Sequence, residues 1–302
     1  MTGRAEPAGA RALTNIFTVD LEDYFQVSAF DATIGLDRWP AMKSRLRAST
    51  DQLLQLLSDA DVKATFFVLG WNAERMPELV RHIVAEGHEI ASHGYSHQLV
   101  YRMAPESFRA DLKRARQAIE QATATRVVGY RAPSYSVTAG SLWALDILIE
   151  EGYVFDSSIF PIRHDRYGIP TAPRRPYFLR RNGGGLWEVP PATVRICGIN
   201  MPFGGGGYLR LLPFWWTRWG LRRLNQRERA AAVVYTHPWE IDTEQPRFEV
   251  DALTRVRHYG NLHRVHGRLR RLLREFRFAP INAVLAGDIH AAACQPQGRL
   301  AS

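Results

Sequence analysis

Apolar and polar positions along this chain change period repeatedly, and the changes divide its first 160 residues into alternating strands and helices. Residues 15–20 (NIFTVD) read as a buried strand ending in an acid, Asp20. Residues 49–60 have helical period, with Leu53, Leu54, Leu56 and Leu57 apolar and Thr50 and Asp51 as start signals. Residues 63–69 predict a second strand, 77–86 a helix stopped by Gly87, and 88–92 a third strand. Over 105–122, Phe108, Leu112, Ala115 and Ile119 share one helical face. Residues 127–130 predict a fourth strand, 141–150 a helix closed by Gly152, and 154–156 another strand. Short links between alternating β and α elements predict a parallel α/β architecture.

That rhythm breaks after residue 160. Residues 161–210 are rich in Pro, Arg and Gly and predict hairpins and loops, with a strand at 186–189. The insertion runs on to residue 230 through a helix at 213–225 that carries Trp215, Trp216 and Trp219. Residues 231–236 read as a buried strand ending at His237, and 268–277 as an amphipathic helix. The organisation expected is a disordered lead over 1–14, one unit over 15–285 and a flexible tail over 286–302.

Composition narrows the class. With 302 residues and 46% hydrophobic content, the chain can bury one large core. No stretch approaches the roughly 18–20 apolar residues of a membrane span. The first residues lack the apolar segment of a secretory signal, so a cytoplasmic location is expected. Cys197 and Cys294 have no Cys-x-x-Cys spacing and imply neither a disulfide framework nor thiolate-bound zinc. The net charge of +9 is arginine-rich in the second half and favours anionic partners. No nucleic-acid partner is expected, because the basic residues do not interleave with aromatics as in single-strand binders. Residues 208–223 combine aromatics, leucines and a basic end, so peripheral contact with the inner membrane is expected. The alternative is that these tryptophans pack on the fold while the arginines reach water. Nothing in the sequence sets the oligomeric state.

The candidate chemistry falls just after strand ends, at Asp20, His93, Arg131, Asp156 and His237. In an α/β barrel, active-site residues gather at that face. His93 and His97, at i and i+4, can share one face of a helical turn with Cβ atoms about 5–6 Å apart. One metal ion can take both imidazoles. A carboxylate from Asp20, Glu22 or Asp23 would complete three protein ligands and leave positions open for water and substrate, the arrangement of a catalytic site.

Four motifs now stand in order: 18–23 (TVDLED), 92–97 (SHGYSH), 130–135 (YRAPSY) and 234–239 (VYTHPW). In this order they resemble the NodB-homology polysaccharide deacetylases, carbohydrate esterase family 4. Residues 156–168 and 237–242 resemble the branch with a DUF3473 C-terminal region found with XrtA/PEP-CTERM exopolysaccharide clusters. The resemblance implies a distorted (β/α) barrel of about seven parallel strands. It also implies hydrolysis of N-acetyl groups on an N-acetylated polysaccharide or oligosaccharide, an exopolysaccharide or its precursor. A divalent metal, Zn²⁺ with Co²⁺ as a substitute, would polarise the amide carbonyl and bind the attacking water.

The same resemblance assigns roles. His93 and His97 match the histidine ligands, and Asp20 matches the catalytic base. The family pattern has the carboxylate ligand next to the base, but Leu21 stands there. An extended chain would put Glu22 on the side of Asp20, whereas a turn would bring in Asp23. Asp23 is the favoured ligand, with Glu22 bracing the site. Arg131 matches the arginine that orients the base, and Tyr135 or the backbone beside it would form part of an oxyanion pocket. His237 matches the general acid, with Asp156 expected to orient it. Trp187 and Trp239, with Tyr167 and Phe203, are candidates for stacking on sugar faces. Two other readings stay open: an allantoinase-like amidohydrolase acting on a small cyclic amide, favoured by a closed pocket, and an inactive carbohydrate-binding homologue, disfavoured by the full set of chemical groups.

Overall fold

The computed structural model describes residues 13–31, 33–181 and 183–286. Most of the expected lead and tail therefore lies outside the described residues. The strands in chain order are β1 (Thr14–Leu21), β2 (Thr65–Val68), β3 (Glu89–Ser92), β4 (Gly129–Tyr130), β5 (Phe155–Asp156), β6 (Tyr177–Arg181), β7 (Gly184–Glu188), β8 (Thr193–Ile196), β9 (Ile199–Pro202), β10 (Val233–Thr236) and β11 (Arg277–Ala279). The helices are α1 (Leu46–Asp59), α2 (Gly70–Arg75), α3 (Pro77–Ala85), α4 (Pro105–Thr123), α5 (Trp143–Glu150), α6 (Gly206–Leu211), α7 (Phe214–Arg222), α8 (Ala252–Tyr259) and α9 (Leu262–Glu275).

One sheet runs β10-β1-β2-β3-β4-β5-β7-β6, with β11 on the start of β1. Every pairing from β10 to β7 is parallel, and β6 returns antiparallel at the edge. This is the expected α/β class with seven parallel strands in series. The strand ladder is an open path. Single backbone bonds join the chain beyond β7 to β10, from Ala192 N–H to Val233 O (3.0 Å) and from Tyr235 N–H to Gly204 O (2.8 Å). β1 is buried on both faces from Asn15 onward, as a covered parallel strand is; its buried polar residues are bonded, Asn15 to Asn225 and Thr18 to the Val234 carbonyl.

Several boundaries differ from the sequence pattern for identifiable reasons. α1 begins at Leu46, ahead of its local start signals, because the Asp23 carboxylate accepts the backbone N–H groups of Arg45 (3.1 Å) and Leu46 (3.3 Å). A capping partner so distant in sequence leaves no mark on the helix itself. α9 starts at Leu262 and buries Leu262, Val265, Leu269, Leu272 and Leu273, and its expected last residue, Arg277, instead opens β11. α2 was not foreseen. It packs on α4 at Gly70, where a Cβ would stand 2.7 Å from Ala115 Cα. The insertion holds the expected hairpins, β6–β7 and β8–β9. On α7, Trp216 and Trp219 stack at 5.1 Å and Trp216 Nε1 donates to Pro202 O, while Trp215 is 62% exposed. Among the described residues no helix is long and apolar enough to cross a membrane.

A prediction follows from the crowding between β4 and β5. A Cβ on Gly129 would lie 2.0–2.6 Å from ring atoms of Phe155, its partner in register. Gly129→Ala is expected to destabilise the protein by about 1–3 kcal/mol in urea unfolding. Gly140→Ala, with nothing near its Cβ, should stay within about 0.5 kcal/mol of the parent. Equal midpoints for the two variants would contradict this packing.

Candidate active site

The site is assembled where β1, β3, β4 and β10 end. β1 delivers Asp20, and the chain then makes a tight turn in which Glu22 N–H donates to Asp20 O (2.9 Å). That turn sends the Glu22 carboxylate into the sheet end, where Oε1 lies 2.9 Å from His93 Nε2 and 3.0 Å from His97 Nε2. The two histidines do not share a helical face. His93 follows β3 directly, and the loop to His97 uses left-handed backbone at Gly94 (φ 75°) and at His97 itself (φ 54°). All three side chains are buried.

The contact between Glu22 and His93 needs a cation or a proton. His93 Nδ1 lies 2.8 Å from the carbonyl of Arg131, which only an N–H can satisfy. The neutral ring therefore turns the lone pair of Nε2 toward a carboxylate oxygen, and two acceptors face one another. A divalent cation between them resolves this, and two imidazole nitrogens with one carboxylate oxygen form a suitable donor set. Asp20 and His237 converge with Glu22 in a second cluster beside the first. Burial would raise the Glu22 carboxyl, but His97 and His237 outweigh it and hold the group well below its usual range. Burial would lower the His97 imidazole, and Glu22 reverses that and raises it.

Asp23, the favoured ligand on sequence grounds, is elsewhere. Its carboxylate is occupied by the amides of Tyr24, Arg45 and Leu46, and burial pushes it up. The ligand assignment therefore moves to Glu22. Arg131 is fully buried and does meet Asp20, as expected, donating to its Oδ1 (2.7 Å), to Thr18 Oγ1 (2.9 Å) and to Ser157 Oγ (2.8 Å), with its guanidinium 4.0 Å over the Phe67 ring.

His237 Nε2 lies 3.6 Å from Asp20 Oδ2, as the roles of acid and base suggest. Its orienting partner is Glu240, not Asp156. Glu240 Oε2 accepts the His237 backbone N–H (3.0 Å) and lies 3.2 Å from Nδ1, while Arg210 Nε donates to Oε1 (2.6 Å). Burial would lower His237, but Glu22, Glu240 and Asp20 outweigh it and push the ring up to about 9. Burial likewise opposes charge on Glu240, yet His237 and Arg210 hold it at about 2. Sequence reasoning missed both Glu240 and Arg210. Glu240 had a signal, since a 3₁₀ turn after His237 brings position i+3 back to i. Arg210 had none.

Asp156 instead bonds Ser158 Oγ (2.5 Å) and sits beside Glu188 at the ends of β5 and β7. Burial pushes Asp156 up to about 6, and burial with the neighbouring Asp156 charge pushes Glu188 well above its usual value. Trp187 packs on Phe178 in the β6–β7 hairpin and does not line the cavity. Trp239 lines it but is only 4% exposed, stacked between His237 and His258, so its faces are occupied. Phe203 is core. Tyr135 lines the cavity with a buried hydroxyl that has no partner among the described residues, and both Ser134 and Tyr135 are left-handed (φ 51° and 53°). Backbone strain of this kind gathers at functional sites. The cavity holds about 160 Å³ and shares Val27, Ser134, Arg166 and Tyr167 with a neighbouring groove of about 570 Å³.

Two regions of the chain are similar to known families. Residues 30–148 match the polysaccharide deacetylase family, and residues 157–286 match the domain of unknown function DUF3473. The chain is 36% identical over 86 residues to a peptidoglycan-N-acetylglucosamine deacetylase of Bacillus cereus, covering 28% of this chain and 29% of that one. It is 33% identical over 99 residues to a chitooligosaccharide deacetylase of Bradyrhizobium sp., covering 33% and 43%. It thus spans less than half the length of these curated relatives. Among solved structures, a candidate polysaccharide deacetylase from Mycobacterium smegmatis aligns over 100% of this chain and 98% of its own, with TM-score 0.60 and 20% identity. Puue allantoinase aligns over 95% and 93%, with TM-score 0.61 and 15% identity. At such identities the two structures share the fold with this chain.

Two outcomes test the site. Glu22→Gln should weaken zinc binding by more than about tenfold in chelator competition, since even outer-shell partners contribute about 10–100-fold. Asp23→Asn should keep zinc and instead lose about 0.5–2 kcal/mol of stability through the α1 cap; the opposite pattern would return the ligand role to Asp23. In metal-free protein, the His237 ring should titrate near pH 9 by NMR, and Glu240→Gln should move its midpoint down toward 6.5. Because the folded value is raised, the stability this group contributes is complete below pH 6.5 and is lost as pH rises through about 9.

Proposed function

We propose that this chain, which joins a polysaccharide deacetylase region to a DUF3473 region, is a metal-dependent N-deacetylase of amino sugars in an exopolysaccharide or its precursor. The observation that carries the proposal is the convergence of Glu22, His93 and His97 beside Asp20 and His237. A divalent ion held by Glu22, His93 and His97, Zn²⁺ by the nature of the donors, would supply a Lewis acid for the acetamide carbonyl and acidify a water. Asp20, fixed by Arg131, accepts the proton of the attacking water. His237, kept protonated by the surrounding carboxylates, gives its proton to the leaving nitrogen, so acetate and a free amine result. The names of the bacterial relatives, a peptidoglycan and a chitooligosaccharide deacetylase, support an N-acetylated glycan as substrate. The exopolysaccharide setting rests on the motifs at 156–168 and 237–242 together with the DUF3473 match.

An allantoinase-like reaction fits the small cavity alone. The groove that continues from it over Ser134 and Tyr167 favours a polymer. A cytoplasmic enzyme touching the inner leaflet through Trp215 is compatible with that exposed ring. Flotation on anionic vesicles that is lost in Trp215→Ala supports this placement, and no flotation at low salt removes it.

The deciding assay is acetate release from N-acetylated oligosaccharides against hydrolysis of allantoin, each with and without chelator. Acetate release should vanish on chelation and return with Zn²⁺ or Co²⁺. His237→Ala should lower kcat by about 10²–10⁴-fold with metal retained, and Asp20→Asn should retain metal and lose most turnover. Full activity after chelation, or turnover of allantoin alone, would overturn the proposal.

A further inference from the structure

The groove beside the catalytic cavity carries a positive charge that amide hydrolysis does not use. Arg166 lines both the cavity and the groove and is exposed, and its guanidinium makes no ion pair or side-chain hydrogen bond among the described residues. At the groove, Asp31 lies 4.0 Å from Arg102 and Asp165 lies 3.4 Å from Arg257. Arg166 is near enough to favour the charge of Asp31 but has no carboxylate within ion-pair distance among the described residues, so its guanidinium is open to an anionic ligand. Tyr101, 36% exposed, offers an aromatic ring to a sugar, whereas Tyr167 is stacked between His164 (3.8 Å) and Phe160 (5.9 Å) and presents only its edge to the groove and the cavity.

We propose that this groove takes an anionic sugar residue next to the acetylated one, with the Arg166 guanidinium pairing with its carboxylate or phosphate. This rests on the deacetylase reading above and narrows its substrate to an acidic glycan. A guanidinium pairs with either anion through two parallel hydrogen bonds and is worth more in a partly enclosed groove than in open water. A neutral oligosaccharide would leave Arg166 merely solvated.

The test compares chitotetraose, which is neutral, with a hyaluronan tetrasaccharide bearing carboxylates and with UDP-N-acetylglucosamine bearing phosphates. Arg166→Ala should raise the KM for one of the two anionic probes by about tenfold relative to its effect on chitotetraose, with Arg166→Lys recovering part of the difference. Which probe responds identifies the anion as carboxylate or phosphate. Calorimetric binding of the same probes to metal-free full-length protein reads the groove without turnover. There the preference for an anionic probe over chitotetraose should be at least about fivefold at low salt, shrink as salt rises, and disappear in Arg166→Ala. Binding of this kind without acetate release from any probe would sink the deacetylase reading and leave the groove assignment standing. Equal effects of Arg166→Ala on neutral and anionic probes, or no binding preference in the parent protein, would overturn the groove assignment.

Discussion

The buried guanidinium of Arg131 ties the whole site together. Its side chain reaches Thr18 and Asp20 on β1 and Ser157 beyond β5, and its own carbonyl fixes the ring of His93 beyond β3. One residue thus holds Asp20, sets the tautomer of His93 and ties together three strand ends. A fully buried cation is tolerable only with its partners in place, and breaking such a pair by removing one member costs about 3–5 kcal/mol. The charge of Asp20 is therefore structural as well as chemical. The strand ends stay where that pair puts them, and the Glu22 turn starts from a fixed point.

A second ion pair does similar work on the opposite wall. Arg210 holds Glu240, and Glu240 holds both nitrogens at the start of His237, backbone and ring. Arg210 is itself held by the carbonyls of Arg257 and His258 at the end of α8. The orientation of His237 is thus transmitted from a helix whose other residues, Thr254 and Arg257, line the cavity. The His237 ring, placed by such a chain, faces Asp20 at 3.6 Å, its plane set from behind by Glu240 and from the side by Trp239.

What the sequence revealed and what it hid divide along physical lines. Asp20, His93, Arg131 and His237 were legible because each stands at or just after the end of a parallel strand, the face where side chains from several strands gather. The choice between Glu22 and Asp23 was not legible. It turns on two amide hydrogens at Arg45 and Leu46, more than twenty positions away, which claim Asp23 as a helix cap. The i, i+4 argument for His93 and His97 reached the right pair through the wrong geometry, since a loop with left-handed residues, not a helix, brings the rings together. Asp156 was offered as the partner of His237 because it too ends a strand. The register of β5 with β7 sets it beside Glu188 instead. Trp187 and Trp239 show the same limit from the apolar side, since composition marks them as sugar platforms while packing uses both their faces or places them away from the cavity.

The position of β10 explains why the two matched regions act as one unit. β10 lies in the DUF3473 region, yet it pairs along its length with β1, which precedes the deacetylase region. Asp20 and Glu22 come from β1 and the turn after it, His93, His97 and Arg131 from the deacetylase region, and His237, Glu240 and Arg210 from the DUF3473 region. The largest apolar cluster likewise runs from Phe17 to Phe278 without a break between the two. The C-terminal region is therefore part of the same core and the same site. It supplies the strand that covers one side of β1 and, at the end of that strand, the only histidine that faces Asp20 among the described residues. A chain cut between the regions would leave the Glu22–His93–His97 cluster in one piece and His237 in the other.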